Sequence, residues 1–102
     1  MSKVISIDPG KSKCGLVLAE ISEKKVYEAI VIRSELLEGY VRNLNAVENI
    51  SKIIIGNGTT SREITKKMDF FKKEIIICDM SSAAIKCLTK FSSNSLLRMI
   101  AL

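Results

Sequence analysis

The sequence contains no histidine and no tryptophan, and its three cysteines form no Cys-x-x-Cys pair. Without histidine, the chain has no Ser-His-Asp or Cys-His site for nucleophilic catalysis and no imidazole to complete a zinc site. Cys14, Cys78 and Cys87 are odd in number, and we expect them to be small core residues. Any hydrolytic chemistry must therefore use carboxylates, lysine or a hard metal ion.

Long apolar runs are also missing, and the N-terminus lacks the charged-then-apolar layout of a signal peptide. Hydrophobic residues make up 47% of the chain and charged residues 26%. These values are typical of a globular protein, and 102 residues suffice for one core. We therefore expect a single domain over residues 1–102, a cytoplasmic location and no membrane partner.

The charge balance is basic, with a formal net charge of +5. A basic surface attracts polyanions, of which nucleic acid is the commonest in a cytoplasm. Aromatic residues make up only 5% of the chain, which argues against a surface that stacks on bases. Contact with a phosphate backbone is the mode of binding that the composition favours.

The N-terminal stretch VISIDPG, residues 4–10, predicts a buried strand that ends in a carboxylate. Its β-branched residues favour a strand, and Pro9 cannot donate to a sheet ladder, so pairing should stop at Asp8. Gly10 then allows a tight turn or close approach of a ligand. Two interpretations of Asp8 remain open at this point: a functional carboxylate at a strand end, or an aspartate that merely caps the turn.

The next segments predict a three-stranded antiparallel meander followed by a helix. We predict a basic turn at residues 11–13 and strands at residues 14–20 and 25–32. The turn between these two strands is at residues 21–24. Ser34 is a candidate helix cap. Apolar residues then recur at helical spacing as far as about residue 48, namely Leu37, Tyr40, Val41, Leu44 and Val47.

A second glycine-containing turn follows a short apolar strand at residues 52–56. Thr60 and Ser61 are candidate caps for a helix over residues 62–72. When a helix follows a strand and a glycine turn in this way, the free N–H groups of its first turn can point at a bound anion. The alternative is a well-formed turn with a capping box between Thr60 and Glu63, and we favour capping as the role of Glu63.

The fifth predicted strand, residues 74–79, also ends in a carboxylate, Asp79. Ser81 or Ser82 can cap a third helix, and the apolar residues 93–102 predict a terminal helix or an interface. The order of elements predicts an α/β fold with a five-stranded mixed sheet, in which the first and fourth strands are parallel neighbours. The ends of the parallel strands should bring Asp8, residues 56–61 and Asp79 to one edge of the sheet.

Two strings resemble a known family. IDPGKSKCGLVL, residues 7–18, resembles the opening of the YqgF-like branch of the RNase H-like nucleases, which are related to Holliday-junction resolvases, and also the corresponding domain of the transcription accessory protein Tex. IGNGTTSRE, residues 55–63, resembles a loop of the same proteins. The resemblance implies an RNase H-like fold and a nuclease for branched DNA or structured precursor RNA, with Asp8 as the leading ligand of Mg²⁺ or Mn²⁺.

The resemblance also implies roles for other residues. Asp79 would be a second catalytic metal ligand, and phosphates would be bound by Lys11, Lys13, Asn57, Gly58, Thr59 and Arg62. The chain departs from the family pattern after Asp79, where Met80 replaces the usual glutamate and Asn94 stands in place of a third acid. In another alignment the catalytic C-terminal helix is missing.

Three functions remain open. The chain is a metal-dependent nuclease, a degenerate RNase H-like domain that binds nucleic acid or a protein without cleavage, or a relative of the actin-like ATPases. The last needs two such domains and a nucleotide cleft, for which this chain is too short. A homodimer is expected by analogy with resolvases, which cut two strands.

Overall fold

The computed structural model describes residues 2–78 of the chain. The meander consists of β1 (Lys3–Asp8), β2 (Lys13–Glu20) and β3 (Lys25–Arg33). A 3₁₀ turn (Ser34–Leu36) leads into α1 (Leu37–Val47), and β4 (Ile50–Gly56), α2 (Ser61–Lys67) and β5 (Glu74–Cys78) follow. Asp79, the predicted third helix and residues 93–102 lie outside the described residues.

The five strands form one mixed sheet in the order β3-β2-β1-β4-β5. β1 pairs antiparallel with β2, and β2 with β3, whereas β4 runs parallel to β1 and to β5. The predicted α/β class, the meander and the parallel pairing of the first and fourth strands are confirmed. The central strands are rich in isoleucine, valine and leucine, as expected for strands that are covered on their faces.

Both helices contribute to one core on one face of the sheet. Residues at alternate positions of the strands pack there against Leu37 and Val41 of α1 and Ile64 of α2. Met68 and Phe71, which follow α2, belong to the same core. The sheet residues of this core are Ile5, Ile7, Cys14, Leu16, Leu18, Ile50, Ile53 and Ile55. Cys14 is buried, as expected of a small core residue.

The opposite face of the sheet carries the side chains that alternate with the core residues along each strand. Register pairs Asp8 with Gly15, Ser6 with Val17, and Val4 with Ala19. Because side chains alternate between the faces, Asp8 lies on the face opposite to Ile7 and the helices. The predicted strand-end carboxylate is therefore on the second face of the sheet.

Two predicted helix boundaries are wrong. The Ser34 side chain makes no cap bond to a helix N–H group; its hydroxyl donates to the Gly10 carbonyl at 2.8 Å. α2 ends at Lys67, not at residue 72, although Met68 and Phe71 continue the apolar spacing. The helical period in the sequence persists beyond the helix because these two side chains still reach the core.

No helix within the described part of the chain is long and apolar enough to cross a membrane.

Candidate nucleic-acid interface

The parallel strands β1, β4 and β5 end at one edge of the sheet, which we call the Asp8 edge. Ile7 pairs with Ile55, and Ile55 in turn pairs with Ile77. One residue further, Gly56 pairs with Cys78. Asp8 follows Ile7 and ends β1, so it lies in the same row. The predicted position of Asp8 at a strand end is thus confirmed.

The neighbours of Asp8 in the sheet are small. Its partner on β2 is Gly15, and on the β4 side the next residue after the Ile7 pair is Gly56. Neither glycine has a side chain that could cover the carboxylate laterally. Both glycines are themselves buried. Among the described residues nothing donates a hydrogen bond to the Asp8 side chain, as a turn cap would require, which favours a functional carboxylate over a turn cap.

The electrostatic environment of Asp8 supports the same interpretation. Asp8 is half-buried, and burial raises the pKa of its carboxyl above the ordinary value of 3.8. Among the described residues, the Asp8 side chain has no hydrogen-bond or ion-pair partner. A raised pKa means that the charged form is less well stabilised here than in water, so a nearby cation would be favourable. Perturbed carboxylates of this kind concentrate at functional sites.

The glycine loop, residues 56–61, joins β4 to α2 and follows directly from the Asp8 edge. Asn57, Gly58 and Thr59 are exposed. The Ser61 hydroxyl donates to the Gly58 carbonyl at 2.8 Å, and the Ser61 amide donates to the same oxygen at 3.2 Å. These two bonds fix the loop and turn the Gly58 carbonyl toward α2.

The loop is not held by the predicted capping box. Thr60 occupies the N-cap position but makes no side-chain cap bond, so the expected pairing of Thr60 with Glu63 is wrong. The glycine at position 58 is also not required for a left-handed backbone, because no described glycine has a positive φ. A Cβ atom at Gly58 would meet nothing within 4 Å. The fold itself does not explain why this position lacks a side chain.

The basic turn after β1 lies beside a shallow cleft of about 390 Å³. Lys11 and Lys13, both predicted to bind phosphate, line this cleft together with Arg33 at the end of β3. Gly10 is needed here, since a Cβ atom at this position would overlap the Lys13 carbonyl. Arg33 was not predicted, because only the pairing of β2 with β3 brings it opposite Lys13. Arg62, the other predicted cation, is exposed on α2 and does not line the cleft.

The donor set for a metal ion is incomplete within the described residues. Asp8 fits one ligand position, because its carboxylate is a hard oxygen donor suited to Mg²⁺ or Mn²⁺ and has no described partner. Residues 2–78 bring no three His, Cys, Asp or Glu side chains together in a way that could hold a metal ion. Asp79, the predicted second ligand, lies outside the described residues, and the residue before it, Cys78, pairs with Gly56.

Comparisons with known proteins do not assign a family. No protein-family model matches the chain, and no curated protein matches it. One solved structure that is similar is the crystal structure of an uncharacterized protein with similarity to peptidase YEAZ from Pseudomonas aeruginosa, with 15% sequence identity and a TM-score of 0.47. The match covers 78% of this chain and 44% of that one, so the chain spans less than half the length of the similar protein.

Proposed function

We propose that this chain is an RNase H-like domain that binds structured nucleic acid at the Asp8 edge and hydrolyses phosphodiester bonds with Mg²⁺ or Mn²⁺. The sheet order β3-β2-β1-β4-β5, with β1 antiparallel to β2 and parallel to β4, supports the fold. The sequence strings at residues 7–18 and 55–63 support the family. The first contains the end of β1 and the second the end of β4, so both include residues at the Asp8 edge.

The observation that carries the proposal is the environment of Asp8. A half-buried carboxylate without a described partner, with a raised pKa and with glycine next to it in the sheet, weakens the fold unless a cation compensates it. The glycine loop and the basic turn adjoin this carboxylate at the C-terminal ends of the strands, where open α/β sheets bind ligands.

The residues divide into two roles. Asp8 and Asp79 would hold the cation, which supplies an activated water and stabilises the leaving oxygen. Lys11 and Lys13 would contact phosphate oxygens, and the exposed backbone of residues 57–59 would approach the substrate. Since histidine is absent, no imidazole is available as a general base.

A cleavage assay tests this proposal. Labelled branched DNA, duplex DNA and structured RNA are incubated with Mg²⁺ or Mn²⁺ and wild-type protein, Asp8→Asn or Asp79→Asn. Asp69→Asn is the matched control, because Asp69 is exposed and precedes β5 at the opposite end of the parallel strands. We expect metal-dependent cleavage by the wild type and the control, and its loss in Asp8→Asn.

Two other results would contradict hydrolysis at Asp8. Equal cleavage by wild type and Asp8→Asn would show that the activity comes from a contaminant or another site. Binding of nucleic acid in the absence of any cleavage, equal in wild type and Asp8→Asn, would make the chain a degenerate binding domain.

A further inference from the structure

The cleft beside the basic turn has an unusual balance of charge. We call it the basic cleft; it is lined by Lys11, Ser12, Lys13, Arg33, Ser34 and Glu35. Three cations and one carboxylate therefore share a cleft of about 390 Å³. The carboxylate of Glu35 lies 3.1 Å from the Arg33 guanidinium, so it compensates one of the three cations.

The other cations remain uncompensated within the described residues. Lys13 lies directly opposite Arg33 in the antiparallel pairing of β2 with β3. Like charges at directly opposite positions destabilise a sheet. Neither Lys11 nor Lys13 forms an ion pair with a described residue. An anion placed between Lys13 and Arg33 would turn this repulsion into attraction.

The wall of the cleft is held in place by two hydrogen bonds that Ser34 donates, one from its backbone and one from its side chain. The Ser34 amide donates to the Ser12 carbonyl at 2.9 Å, and the Ser34 hydroxyl donates to the Gly10 carbonyl at 2.8 Å. Beneath this turn, the buried Cys14 sulfur lies 3.3 Å from the Ser34 hydroxyl oxygen. The turn that carries Lys11 and Lys13 is thus fixed to the start of the 3₁₀ turn. A fixed turn lowers the entropy lost when a ligand binds.

The register relates the basic cleft to Asp8. Asp8 pairs with Gly15, and Gly15 pairs with Val31, so Lys13 and Arg33 lie two residues further along on the same face of the sheet. Ideal strand spacings place the Arg33 backbone about 12 Å from that of Asp8. The basic cleft is therefore a second group of cations beside Asp8 on the same face, and successive phosphates of one bound strand can reach both.

We infer that the basic cleft binds a second backbone phosphate of the nucleic acid, at a distance from the phosphate at Asp8, through Lys11, Lys13 and Arg33. The inference rests on the proposed function, because it assumes a nucleic-acid ligand. Glu35 competes with the phosphate for Arg33. Contacts of this kind fix the register of the ligand and carry no base specificity.

Binding measurements over a salt series test the inference. Fluorescence anisotropy of a labelled DNA duplex and a labelled RNA hairpin in EDTA compares wild type with Arg33→Gln and Glu35→Gln. Both side chains are well exposed, at 73% and 67%, so the fold should tolerate these changes. Lys24→Asn is the charge-matched control, because Lys24 is exposed in the turn between β2 and β3 at the other end of β2, and asparagine tolerates its φ of 52°.

We expect Arg33→Gln to weaken binding and to lower the slope of log K against log salt by about 1 in magnitude. Glu35→Gln should tighten binding roughly 2- to 5-fold, as expected on loss of an exposed competing ion pair. Lys24→Asn should keep the wild-type slope. The DNA and RNA arms show which backbone the cleft accepts.

The two proposals fail in different ways. If wild type binds nucleic acid and Arg33→Gln keeps the wild-type slope, the second phosphate site is overturned and the proposed function stands. If wild type binds neither DNA nor RNA, the proposed function is overturned, and the inference that rests on it is overturned as well.

Discussion

Replacing Gly58 by alanine separates what the glycine loop does for folding from what it does for a ligand. A Cβ atom at this position would meet nothing within 4 Å, and the backbone φ is not positive. Alanine therefore fits the free protein without strain. Because alanine restricts the unfolded chain more than glycine does, Gly58→Ala should stabilise the fold by about 0.4–1 kcal/mol. For a domain of this size that corresponds to a rise in Tm of roughly 2–8 °C.

The effect on binding should have the opposite sign. If a phosphate approaches the backbone of residues 57–59, the added methyl group pushes it away and weakens a charge-assisted hydrogen bond. Loss of one such bond corresponds to about 10- to 100-fold lower affinity. Anisotropy titration of a labelled RNA hairpin or branched DNA measures this change, and thermal unfolding followed by circular dichroism measures the stability.

Gly39→Ala is the matched control. Gly39 is exposed in α1, and a Cβ atom there also meets nothing within 4 Å. Alanine in a helix interior should stabilise by about 0.5–1 kcal/mol, and α1 has no part in the proposed interface. A Gly58→Ala protein that gains stability and binds as tightly as Gly39→Ala would refute close approach of the ligand to the glycine loop.

Three further substitutions test the fold and the carboxylate. Asp8→Asn should raise the free energy of unfolding at neutral pH, because burial raises the pKa of Asp8, so the ionised form penalises folding once the pH rises above the ordinary value of 3.8. Urea denaturation should show this gain disappearing below that pH, and a gain that persists there has another cause. Gly10→Ala should destabilise by about 1–3 kcal/mol, since its Cβ would overlap the Lys13 carbonyl, and an unchanged Tm in calorimetry would contradict this. Leu37→Ala should cost about 2–5 kcal/mol in urea denaturation, because Leu37 is fully buried where α1 meets the sheet, and a much smaller loss would mean that α1 packs differently in solution.

Much of the fold could be predicted because its signals are local. Runs of β-branched residues bounded by turn residues gave all five strands, and helical spacing gave α1 and α2. The errors occur where distant contacts decide the structure. Ser34 resembles a helix cap in sequence, but its hydroxyl bonds to Gly10, which is 24 residues away. β4 begins at Ile50, earlier than predicted, where it meets Lys3 of β1.

The candidate site was predictable to a similar extent. Asp8 could be placed at a strand end because Pro9 stops pairing locally. Arg33 could not be associated with Lys13, because strand register depends on the whole meander and no short pattern encodes it. The metal-binding and catalytic roles of Asp8 remain predictions. Asp79, the predicted second ligand, lies outside the described residues.

The unfavourable features of the fold lie together, and this argues for a ligand at the Asp8 edge. Within residues 2–78, no buried side-chain nitrogen or oxygen lacks a hydrogen-bond partner, so the interior is satisfied. Two features near the surface remain: a carboxylate destabilised by burial at Asp8, and Lys13, which lies opposite Arg33 and has no ion-pair partner among the described residues. Both lie on the same face and at the same end of the sheet. Folding alone gains nothing from either feature, whereas a phosphate backbone bound with a divalent cation would neutralise both.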